Sequence, residues 1–195
     1  MKASLFDKVG EPTDSPTRRT AVDEALALLE RNLDQAALIS DENERDSLLV
    51  AACLRWAEFD PADALDLVRQ LGLDQVAHAG SEAIIQKWAA TNFRAALAWT
   101  SRKPAGEQRD HLMARLAFVR AQSRPAEAAR LVEVQIPPGP AQAEANISVL
   151  HQWALRDFGG ALTRVDRLPA DLQERARAEL IGIANGRLAI SETVY

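Results

Sequence analysis

Cysteine is all but missing from this chain. Its 195 residues include one, Cys53. A lone thiol excludes an intramolecular disulfide and any multi-cysteine zinc site. Its position inside the apolar run 48–54 marks it as a small core residue, the usual fate of a free cysteine. Histidine is scarce too. His78, His111 and His151 show no H-E-x-x-H or comparable ligand spacing, so they are expected to be exposed or locally bonded. Aromatic residues make up only 5%. No stretch approaches the ~20 apolar residues that span a bilayer. Residues 1–7 lack the apolar core of a signal peptide, which predicts a cytoplasmic protein with no membrane partner.

The nucleotide-binding and hydrolase signatures G-x-x-x-x-G-K-[ST], G-x-G-x-x-G and G-x-S-x-G are absent as well. Asp60, Asp63 and Asp66 fall at three-residue spacing beside a proline. A solvated helix N-terminus accounts for them better than paired acid–base carboxylates. The expectation is a protein that is not an enzyme, with no cofactor and no metal. Acids outnumber bases, 28 to 23, for a formal charge of −5. That balance argues against a general nucleic-acid or anionic-membrane binder, since both need a basic footprint.

What the chain does have is strong helix formers and a recurring sentence. Hydrophobic residues reach 47%, normal for a globular protein. The stretch Trp56-Ala57-Glu58-Phe59-Asp60-Pro61-Ala62-Asp63-Ala64-Leu65 returns as Trp88-Ala89-Ala90-Thr91-Asn92-Phe93-Arg94-Ala95-Ala96-Leu97. It returns again as Trp153-Ala154-Leu155-Arg156-Asp157-Phe158-Gly159-Gly160-Ala161-Leu162. A degenerate copy, Arg120 to Ala129, carries Pro125 where the first has Pro61. The anchors Trp56, Trp88, Arg120 and Trp153 follow one another at steps of 32, 32 and 33 residues. A fixed period of this size marks units that bury their apolar faces only by stacking.

Taken in order, residues 1–20 form a polar tail too poor in apolar surface to order itself. Helical periodicity begins at Ala21 and carries Leu26, Leu29 and Leu33. Asp41 or Asn43 can cap the next helix, which runs through Leu49 and Trp56. Asp60-Pro61 breaks and restarts it, and Gly72 suits the following stop. Ile84, Ile85 and Trp88, then Leu97 and Trp99, begin the same pattern again, and Leu112 to Val132 repeats it. Ile136-Pro137-Pro138-Gly139-Pro140 reads as a long connection between units, and Pro169 as the fourth unit's stop. A last helix from Leu172 to Ala184 is expected to end at Asn185-Gly186 and to cap the stack. The domain reading is a flexible tail at 1–20, one helical domain at 21–188 and a short tail at 189–195.

These copies resemble the tetratricopeptide repeat, with HEAT-like hairpins as the alternative. Ala64, Ala96, Ala128 and Ala161 match that family's small position on the second helix, and the tryptophans lie near its large position on the first. The period is 32–33 where the family has 34, and Phe59, Thr91, Ser123 or Arg156 stands where it has a small residue. The resemblance spans roughly residues 45–170. It implies an all-α, right-handed α-solenoid of about four to five stacked hairpins, and the family's general role of binding other proteins on a curved surface.

Charge is the irregular feature. Residues 102–130 hold seven cations against three acids, while residues 1–50 hold six against eleven. A solvated face with intra-helix pairs is one reading of the basic stretch. The sharper one makes Arg109, Arg115, Arg120 and Arg124 a binding site for an acidic peptide or carboxylate, which arginine grips with two donors. The tryptophans, opposite alanines, are expected in the core. The sequence therefore points to a non-catalytic scaffold for a protein or acidic peptide. An accessory domain of an enzyme complex, a helical-repeat nucleic-acid binder and self-association through opposite charges are the rivals.

Overall fold

Strong helix formers, punctuated by single capping residues, dictate a helical chain, and the described residues are all-α. The computed structural model describes the backbone of residues 16–73 and 78–192, with side chains described for 19–73 and 80–186. The tail expectations for 1–15 and 193–195 lie outside the described residues. The helices are α1 (Pro16–Ala36), α2 (Glu42–Trp56), α3 (Pro61–Gln70), α4 (His78–Ser101), α5 (Glu107–Ala121), α6 (Pro125–Gln135), α7 (Pro140–Arg156), α8 (Phe158–Val165) and α9 (Ala170–Glu192). None of them is long and apolar enough to cross a membrane. Contacts divide the chain into two compact units, Met1–Ala77 and His78–Tyr195.

In the first unit α1 starts at Pro16, ahead of the expected onset at Ala21. Proline suits a first helical turn because its missing N–H has no partner there. Of the two candidate caps for α2, Asp41 is used: its Oδ1 accepts from the Glu44 N–H at 2.9 Å. α1 packs on α2 and α2 on α3, around Ala36, Leu49, Cys53, Val68 and Leu73. Gly72 ends α3 in the left-handed region, φ 69°. The Leu73 N–H returns to the Val68 carbonyl at 3.0 Å and that of Gly72 to Arg69 at 3.1 Å. This is the Schellman arrangement, and it carries Leu73 into the core.

In the second unit α4 is broken at Asn92, whose φ of −143° and ψ of 74° leave the helical region. It is therefore two helices meeting at a kink. α5 packs on α4, α6 and α7; α7 packs on α6, α8 and α9; and α8 meets α9. The expected long connection at 136–140 is short. Only Ile136 to Gly139 separate α6 from α7, because Pro140 is the first residue of the new helix and not part of the break. The expected stop at Asn185-Gly186 is also not used, and α9 runs on to Glu192. A glycine in a helix interior costs about 1 kcal/mol, which weakens a helix without ending it. Packing at this end of the unit joins Leu150, Ala154, Val165, Leu172 and Leu180.

The four turns of the recurring stretch have nearly one backbone conformation. Asp60 has φ, ψ of −135°, 89°; Asn92 of −143°, 74°; Arg124 of −138°, 70°; and Asp157 of −137°, 88°. The three with short polar side chains cap the helix that follows. Asp60 Oδ1, Asn92 Oδ1 and Asp157 Oδ1 accept from the N–H three residues on, at 2.9, 3.1 and 2.9 Å. Arg124 makes no such bond. Four residues past each turn stand Ala64, Ala96, Ala128 and Ala161, all at 0% exposure. A side chain larger than a methyl would collide there, so the small residue is a packing requirement.

Candidate functional site

The anchor residue decides the chemistry around each turn. In α2 the anchor Trp56 is buried, and its Nε1 donates to Asp63 Oδ2 at 2.7 Å. So Asp63 is a tether and Asp60 a cap, a more specific role than the solvated helix start read from their spacing. Trp88 instead packs edge-on against Trp99, ring centroids 5.9 Å apart, and the position matching Asp63 is Ala95. Trp153 donates to Asp157 Oδ2 at 3.3 Å, and the matching residue is Gly160. A Cβ at Gly160 would lie 2.8 Å from Trp153 Nε1, so glycine leaves that indole its space.

At the third turn arginine replaces tryptophan, and the donor pattern survives. Arg120 Nε and Nη2 both donate to Glu127 Oε2, at 2.9 and 2.5 Å. Arg124 Nη1 donates to the other oxygen of the same carboxylate, at 3.0 Å. These bonds, Arg124's first and then Arg120's, hold the Glu127 carboxyl below its usual range. The Arg120 guanidinium also lies over the Phe93 ring, 4.6 Å from its centroid, a cation–π contact.

Beside this guanidinium lies an open groove of about 640 Å³. Phe93 and Leu97 of α4 and Leu131 and Val134 of α6 form its apolar lining. Arg94 and Arg130 stand on those same two helices, both exposed. Neither has an ion-pair partner among the described residues. Val134 is 70% exposed, an apolar side chain that nothing in this unit covers.

The four arginines expected to bind do not share one site. Arg120 and Arg124 meet on Glu127. Arg109 is largely buried and ties the start of α5 to the end of α6, with Nη1 donating to the Gln135 carbonyl and Nη2 to Gln135 Oε1, both at 3.0 Å. Since Gln135 also lines the groove, Arg109 supports its far end. Arg115 pairs with Glu82 at 2.5 Å, joining α5 to α4. Lys103, elsewhere in the basic stretch, sits 3.8 Å from the centroid of the Trp99 ring.

His151 Nδ1 lies 2.5 Å from Glu179 Oε1, a bond between α7 and α9. His111 lies 3.9 Å from Glu107, one turn earlier, and the side chain of His78 lies outside the described residues. A cavity borders His151 and includes Leu155, Arg175 and Ile183. Arg175 there grips Glu144 with two bonds, at 2.5 and 2.7 Å, which lowers the Glu144 pKa and raises its own. No group of three or more His, Cys, Asp or Glu is placed to hold a metal ion among the described residues.

Protein-family models, curated proteins and solved structures give no match to this chain. The groove must be read from its own residues. Of the residues lining this groove, the sequence singled out Arg120 as a binding candidate, and not Phe93, Arg94, Leu97, Arg130, Leu131 or Val134. A signal was present: Arg94 and Leu97, like Leu131 and Val134, are three apart and share a helix face. Only the packing of α4 and α6 on α5 brings those two faces to one groove.

Proposed function

We propose that this protein is a non-catalytic interaction module that binds a protein or peptide partner on the surface of stacked helical hairpins. In this reading the hairpins form an α-solenoid similar to tetratricopeptide repeats. The near-identical turns, the fully buried alanines and the serial packing of α5, α7 and α9 support that arrangement. The observation that carries the binding role is the open groove, apolar inside and arginine-bearing at its rim. Open apolar surface edged by charge is characteristic of recognition sites.

The test is affinity purification of the tagged full chain from source-cell lysate, at low and at high salt. A protein retained in fixed proportion to the chain is the expected result. Recovery of nucleic acid alone, lost as salt rises, would replace this reading with a nucleic-acid binder. Retention of one enzyme whose rate changes when the chain is added would make it an accessory domain. Recovery of nothing at either salt would refute an interaction role.

A further inference from the structure

The groove is biased toward one kind of occupant. Its rim carries Arg94, Arg120 and Arg130 against a single acid, Glu127. That acid is engaged on both oxygens, by Arg120 on one and Arg124 on the other. A visiting cation would therefore find no unpartnered carboxylate there. A visiting carboxylate would find two exposed guanidinium groups with no ion-pair partner among the described residues, one on each wall. Arg120 itself keeps only part of its donor set, because its Nε–Nη2 edge is taken by Glu127. Arg94 and Arg130 are thus the cations best able to grip a ligand.

We propose that this groove binds an acidic peptide segment of another protein. Apolar side chains of the segment sit on Leu97, Leu131 and Val134, and its carboxylates meet Arg94 and Arg130. This rests on the interaction-module reading and names the partner's chemistry and its place. Charge complementarity selects an acidic partner, since arginine binds carboxylates through two parallel donors. The apolar lining selects a segment that also carries hydrophobic anchors, as a bare run of acids would leave Val134 uncovered. Nucleic acid fits less well. The Phe93 face that a base would stack on is already covered by Arg120. A small molecule fits less well too, because ligand sites enclose most of the ligand, whereas Val134 stands 70% exposed on an open trough.

The experiment is selection of a random-sequence peptide display library on the immobilised full chain, followed by fluorescence anisotropy of the enriched peptides. Wild type is compared with Arg94→Glu/Arg130→Glu and with Val134→Asp. All three positions are exposed, and circular dichroism checks that the helices are kept. Enriched peptides should combine Asp or Glu with Leu, Phe or Ile. Their affinity should fall on the order of tenfold for each arginine reversed, the worth of a charge-assisted bond. Val134→Asp should weaken them as well. Enrichment of neutral or basic peptides, or of acidic ones that bind the variants equally, would overturn the groove assignment while leaving an interaction role elsewhere on the surface. No enrichment, with a protein partner still recovered from lysate, would overturn the peptide-binding claim alone. Dimerisation of the chain that the same substitutions abolish would show that a second copy occupies the groove, and would overturn it too.

Discussion

Removing the carboxylate of Asp63 tests the anchor logic directly. Trp56 is 9% exposed and its Nε1 donates to Asp63 Oδ2 at 2.7 Å. A hydrogen bond to a charged acceptor contributes about 1.5–3 kcal/mol, and partial exposure places this one near the lower end. Asp63 also lies in the first turn of α3, where a negative charge adds about 0.3–1 kcal/mol through the helix dipole. Asp63→Ala should therefore cost roughly 2–3 kcal/mol. Trp56→Phe removes the donor and some ring volume, and in that background Asp63→Ala should cost only the dipole share. The coupling should come to about 1–2 kcal/mol, read from urea unfolding of the four proteins of the cycle by circular dichroism. Asp63→Asn, which keeps an acceptor oxygen and loses the charge, should fall between. A coupling below about 0.3 kcal/mol would show that the bond does not hold the hairpin, and the account of the anchors would fail.

Gly72→Ala should destabilise by about 1–2 kcal/mol, because φ is 69° and no atom lies within 4 Å of the new Cβ, so the cost is purely conformational. Gly72→Asn should cost less, and a neutral or stabilising Gly72→Ala in thermal unfolding would contradict the assigned turn. The Cys53 thiol is pushed up to about 11, first by burial and then by the negative charge of Asp63. The folded state thus keeps its proton where the unfolded chain, titrating near ~8.5, has lost it. Stability from this group is fully present below about pH 8.5 and falls as pH rises toward 11, by up to ~3 kcal/mol. Native protein should resist iodoacetamide at pH 8 and react only after unfolding; fast native labelling would refute the burial.

Much of the architecture was legible because it is local. A proline after Asp60 or Arg124, a polar cap and a small residue four further on act within one turn of chain, so their spacing appears directly in the sequence. The misread connection at 136–140 and the misread stop at Asn185-Gly186 have the same origin. Pro140 and Gly186 carry opposite instructions depending on whether a helix is starting or already packed, and only context supplies that. The division of the chain into two compact units, between Ala77 and His78, has no strong composition signal.

The sequence by itself determined the helices, their turns and the period of the anchors, since helix propensity, capping and turn sterics act over a few residues. The tertiary structure alone decided where the arginines go. Arg109, Arg115, Arg120 and Arg124 look alike on paper, yet their partners Gln135, Glu82 and Glu127 lie from 3 to 33 positions away. Which guanidinium groups remain without a carboxylate depends on packing between helices. That packing leaves Arg94 and Arg130 beside Phe93 and Val134 on one open surface.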